Sequence, residues 1–156
     1  MTASPSHPSH PSHPSDPGYP SYPGALDPGL AAALARVSDP DGRFGHRQHV
    51  HLAFLAARWH GTERAADVMC RWIGEIARQH GAPQQYHATM TIAWAMLVAY
   101  HVACDPSVSD FGAFAAMHPA LLDKDLLARH YAGPTLRSDA ARAAWIPPDL
   151  AALPAR

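Results

Sequence analysis

The chain has 156 residues, of which 47% are hydrophobic and 16% charged, with a formal net charge of -1 and an isoelectric point near 6.9. That is enough apolar material for one core and too little length for two domains. Without a basic excess, neither nucleic acid nor an anionic membrane surface has an electrostatic handle, and the longest apolar run, Ile92 to Val102, is too short to cross a bilayer.

Residues 1–24 are Ser-His-Pro repeats followed by a Pro/Gly/Tyr stretch, a composition that cannot pack a core, so a disordered tail of polyproline character is expected. His7, His10 and His13 within it are loose ligands for a transition metal at most. The start, Met1-Thr2-Ala3-Ser4-Pro5, has neither the cationic nor the apolar segment of a secretory leader, and a cytoplasmic location is expected. Arginine far outnumbers lysine, with Lys124 alone, and alanine is abundant, as in chains from GC-rich bacteria.

Residues 25–150 read as one helical domain, with 151–156 as a C-terminal tail. A first helix is predicted from about Leu26 to Val37, ended by Ser38-Asp39-Pro40-Asp41-Gly42. A second starts near Gly45 or His46 and continues to Trp59, with His60-Gly61 as its stop. Thr62 is the expected cap of a third, which carries Val68, Met69, Trp72, Ile73 and Ile76 inward and ends at His80-Gly81-Ala82-Pro83. The fourth spans about Gln84 to Ala103, and Ser109 or Asp110 caps a helix carrying Phe111, Phe114 and Met117. A short helix through Leu121 to His130 and a last turn from Ser138 to Trp145 complete the domain. Short loops make the fold an all-α, up-down helical bundle of about four main helices plus short C-terminal ones. Trp59, Trp72 and Trp94 fall at core spacings, and Cys70 and Cys104 are expected as buried, unpaired thiols.

Three of the twelve histidines crowd the segment Phe44-Gly45-His46-Arg47-Gln48-His49-Val50-His51. His46 and His49 stand one helical turn apart, where two imidazoles can converge on one ion, whereas His51 falls on another face. In an up-down bundle the second and fourth helices run parallel, so His87 in the first turn of the fourth joins that end, with Thr91 one turn above it. His60 and His101 lie at the other end, roughly 21 Å away along fourteen residues of helix. The segment Arg129-His130-Tyr131 returns toward the first end, making His130 a possible fourth ligand. Three neutral imidazoles with an open position suit a Zn or Cu ion, with Tyr131, Thr91, Arg47 and Arg142 orienting or neutralising a small-molecule substrate.

Other chemistries lack their residues. A carboxylate-bridged di-iron bundle needs inward glutamates and Glu-x-x-His pairs, and only Glu63 and Glu75 exist, neither with a histidine three residues on. No His-Glu-x-x-His helix, phosphate-cradling glycine loop or Gly-x-Ser-x-Gly elbow is present.

The segments Phe44-Gly45-His46-Arg47-Gln48-His49, Tyr86-His87-Ala88-Thr89-Met90-Thr91, Leu121-Leu122-Asp123-Lys124 and Trp145-Ile146-Pro147-Pro148-Asp149-Leu150 carry a resemblance. Between Phe44 and Leu150 the chain resembles a functionally uncharacterised family of small helical bacterial proteins, and the resemblance implies no activity. The functional expectation is therefore a metal-binding helical protein that activates water or dioxygen toward a small substrate. The alternatives are a metal-free module that binds a protein partner or small apolar ligand, and an enzyme using histidine as acid and base without metal. Oligomeric state has no sequence signature here.

Overall fold

A computed structural model describes residues 27–37 and 39–155. The Ser-His-Pro segment, with His7, His10 and His13, lies outside the described residues. Among these there are seven α-helices and no strand: α1 Pro28–Val37, α2 His46–His60, α3 Ala65–Gln79, α4 Ala88–Cys104, α5 Phe111–Met117, α6 Gly133–Leu136 and α7 Asp139–Ala143. Single 3₁₀ turns occupy Pro83–Gln85, Pro119–Leu122 and Leu126–Arg129. α4 is the central post, packed against α2, α3 and α7, while α1 lies on α2.

Local chemistry explains most helix starts. Asp27 Oδ1 accepts from the backbone N–H groups of Gly29 (2.7 Å) and Leu30 (3.1 Å), and Pro28 needs no partner at the first helical position, so α1 begins there. The Gly45 N–H donates to Gln48 Oε1 (2.9 Å) at the head of α2, and Asp110 Oδ2 accepts from Ala113 N–H (2.8 Å) at the head of α5. Gly61, at φ 92°, turns the chain out of α2 through a conformation that side-chain-bearing residues rarely adopt.

Several boundaries differ from expectation. α3 opens at Ala65 rather than behind a Thr62 cap, because Arg64 N–H donates to Gly61 O (3.1 Å) and residues 61–64 close as a tight turn first. The fourth helix starts at Ala88, not Gln84: Pro83–Gln85 is a separate 3₁₀ turn and His87 is extended (φ -136°, ψ 104°), so His87 caps the helix instead of lying in its first turn. The expected helix 121–130 is two 3₁₀ turns separated at Asp123-Lys124-Asp125, where Asp123 Oδ1 accepts from Asp125 N–H (2.9 Å). Trp59 is 39% exposed rather than in the core, and Cys104 is exposed. Both cysteines are free.

The core is continuous from Leu30 through Leu52, Phe54, Met69, Trp72, Val98 and Phe114 to Leu121, Leu127 and Tyr131. Its C-terminal edge continues past residue 150, with Leu153 packed on it. Phe54 sits between Phe114 (ring centroids 4.8 Å) and Phe111 (5.7 Å), joining α2 to α5. Phe54→Ala should cost about 3–5 kcal/mol of unfolding free energy in a urea titration; a loss under about 1 kcal/mol would contradict this packing.

Candidate functional site

His46, His49, His87 and His130 each bond to a different backbone carbonyl. His46, at the start of α2, donates from Nε2 to Leu121 O (2.9 Å) and sets its ring edge-on to Trp94 (4.4 Å). It thereby holds the Pro119–Leu122 turn against α2. His49 turns back on its own helix, donating from Nδ1 to Gly45 O (3.0 Å), with its ring against Phe44 (4.7 Å). Burial lowers its pKa, a tendency that the Gly45 carbonyl opposes and neighbouring His46 reinforces.

His87 has both ring nitrogens engaged. Nε2–H donates to Leu136 O (2.7 Å), and Nδ1 accepts from Met90 N–H (3.2 Å) as the cap of α4. Only the neutral imidazole with its proton on Nε2 makes both bonds, so ligation of a metal would cost either the cap or the tie to Leu136. His130 donates from Nδ1 to Ala151 O (2.9 Å), while its own carbonyl accepts from Leu150 N–H (3.0 Å). Among the described residues, no three or more His, Cys, Asp or Glu side chains are gathered as a group able to hold a metal ion.

Of the polar residues expected around a substrate, Tyr131 and Arg142 are bonded within the chain. Tyr131 is buried, its hydroxyl donates to Ile146 O (2.8 Å), and burial, with Asp149 adding to it, pushes its pKa up to about 12. Arg142 NH1 donates to Gln84 O (3.1 Å) and Tyr86 O (3.4 Å). Arg47 lies over the Phe111 ring, 5.1 Å from its centroid. Thr91 is half-buried, and its backbone N–H donates to His87 O (3.0 Å).

Two arrangements escaped the sequence reading. The first is Thr89, wholly buried, whose hydroxyl donates to Ala144 O (2.7 Å) and accepts from Ile146 N–H (3.1 Å). With His87 and Arg142 it fastens residues 131–151, a C-terminal strap, across the N-terminal half of α4, and the Tyr131 hydroxyl ties the strap to itself at Ile146 O. Asp149 closes the strap on itself, accepting from Ala132 N–H (2.9 Å) and from the Thr135 hydroxyl, and these bonds hold its carboxyl below the usual range. The second lies at the other end: His118 Nε2 donates to Asp105 Oδ2 (3.0 Å), and its ring centroid is 4.4 Å from that of His101. A histidine in the last turn of one helix and another ending the next were the available signals.

No known protein family, no curated protein and no solved structure matches the chain.

Thr89→Val should destabilise the fold by about 1–3 kcal/mol for each of the two stranded backbone groups, measured by urea denaturation. Thr89→Ser should recover most of that loss, since it keeps the hydroxyl; a fully stable Thr89→Val variant would show that the strap does not depend on this bond.

A pH dependence follows from His49 and His51. Burial lowers the pKa of both, and Arg47 lowers that of His51 further, against Asp110. The unfolded chain therefore binds protons more readily, so their contribution is present above an unfolded pKa of about 6.5 and is lost as pH falls through the lower folded values. Melting temperature should drop between about pH 7 and pH 5, and replacing both by glutamine should flatten the profile. An unchanged slope in that variant would assign the dependence to other groups.

Proposed function

We propose that this chain is a helical interaction module that docks a protein partner through the face where α1 crosses the C-terminal end of α2. The observation that carries this reading is Trp59. Its indole is 39% exposed; it stands edge-on to the buried Trp72 (6.5 Å, 74°), and the Arg36 guanidinium lies 5.4 Å from its centroid. A tryptophan backed by core and flanked by arginine is the composition that dominates interface energetics, because a large rigid ring loses little conformational entropy on being covered.

The other exposed large apolar side chains among the described residues, Met96, Met117 and Leu150, are not aromatic. The opposite end of α2 and α4 gives supporting evidence of a different kind. There His46, His87, Tyr131 and Arg142 all have polar atoms bonded to backbone carbonyls of this same chain, as residues that maintain a scaffold do.

Trp59→Ala removes an exposed ring and should leave the fold within about 1 kcal/mol of native stability. In affinity capture from a lysate, a protein retained by the native chain should be lost with both Trp59→Ala and Arg36→Ala and kept with the control Met117→Ala. The same set of captured proteins with all three variants would refute the assignment of this face.

A further inference from the structure

The α4–α5 connection holds a side-chain cluster independent of the Trp59 face and of the strap. His101 lies in the last turn of α4, His118 follows the last residue of α5, and Asp105 ends α4. We propose that the adjacent imidazoles of His101 and His118, with Asp105 behind His118, form a two-nitrogen binding site for Zn(II) or Cu(II).

Four observations support it. His118 gives its Nε2 proton to Asp105 Oδ2 (3.0 Å), which leaves the Nδ1 lone pair as its donor; a carboxylate bonded to the far nitrogen is how metal-binding histidines are oriented and made more basic. No hydrogen bond engages either ring nitrogen of His101 among the described residues, in contrast to His46, His49, His87 and His130. The two ring centroids are 4.4 Å apart with their planes tilted by 42°, and Tyr100 (5.2 Å from His101) and Phe114 (4.9 Å from His118) lie beside them. Both histidines stand at helix C-termini, where the aligned peptide dipoles favour a cation.

The cluster is also reachable. His118 and Asp105 side chains are 15% and 31% exposed, and His101 is half-buried. Imidazole nitrogen suits Zn(II) and Cu(II), and water completes a shell to which the protein gives two donors. Affinity should accordingly be weaker than that of a closed four-ligand site. Arg58 is tied into the same loop by donating to Pro106 O, and its charge opposes the ion.

The test uses the full chain carrying His7→Ser, His10→Ser and His13→Ser, so that the N-terminal repeats do not bind the probe. Titration with Zn(II) or Cu(II), and with Mg(II) as control, should show one equivalent of Zn(II) or Cu(II) bound by calorimetry and none of Mg(II). His101→Ala and His118→Ala should each abolish that equivalent, and Asp105→Asn should weaken it about 10–100-fold. Proton-nitrogen correlation spectra of the otherwise native rings should move at His118 Nδ1 on Zn(II) addition, a readout that needs no destabilising substitution. The proposal is overturned by absence of binding, by retention of the equivalent in either alanine variant, or by ring signals that do not move. It is equally overturned if Cys104→Ser alone removes the equivalent, since the exposed thiol would then be the ligand.

Discussion

The Thr89 hydroxyl is the interaction on which the arrangement of this molecule most depends. It sits in the second position of α4 with no exposure to solvent, and it both donates to Ala144 O and accepts from Ile146 N–H. Two backbone groups of an otherwise irregular segment are thus satisfied inside the protein by one side chain. Without a partner, each such group carries a desolvation penalty of about 1–3 kcal/mol, and residues 144–146, which belong to no helix or sheet, have no ladder of their own to supply one. His87 one turn-end earlier and Tyr131 from the strap itself extend the same solution to Leu136 O and Ile146 O.

Seen from that bond, the histidine-rich character of the chain has a structural explanation. Short 3₁₀ turns and connecting segments leave carbonyls that no helix pairs, and a neutral imidazole is a compact donor able to reach them from an adjacent helix end. His46 does this for Leu121, His87 for Leu136 and His130 for Ala151, across separations of 75, 49 and 21 residues. These ties join segments far apart in sequence, as the packing of α4 on α2 and α7 also does.

The helical fold was legible because its determinants are local. Asp27-Pro28, Gly45 with Gln48, Gly61 and Asp110 specify starts and stops within four residues, and the spacing of Val68, Met69, Trp72 and Ile73 marks an inward face. The site was less legible for a definite reason. α4 is buried on nearly every side, from Ala88 and Thr89 to Ala99 and Val102, so its periodicity distinguishes no single inward stripe and does not separate Thr91 from Thr89. The spacing of His46 and His49 states that two rings lie one turn apart, but it does not state which carbonyl each will meet. Those acceptors belong to Gly45 and Leu121, and the second is 75 residues distant.

The same contrast separates the two ends of the central helix. At its N-terminal end the imidazole and hydroxyl groups are closed on carbonyls of the strap, a state in which a side chain is fixed and its chemistry is occupied. At its C-terminal end His101 keeps both nitrogens clear of any hydrogen bond among the described residues, beside a His118 already oriented by a carboxylate. Burial alone does not account for the difference, since His46 is also only half-buried and still finds an acceptor. At these helix ends Asp105 N–H closes on His101 O and His118 N–H on Phe114 O. Among the described residues, both ring nitrogens of His101 and the Nδ1 of His118 are left without a hydrogen bond.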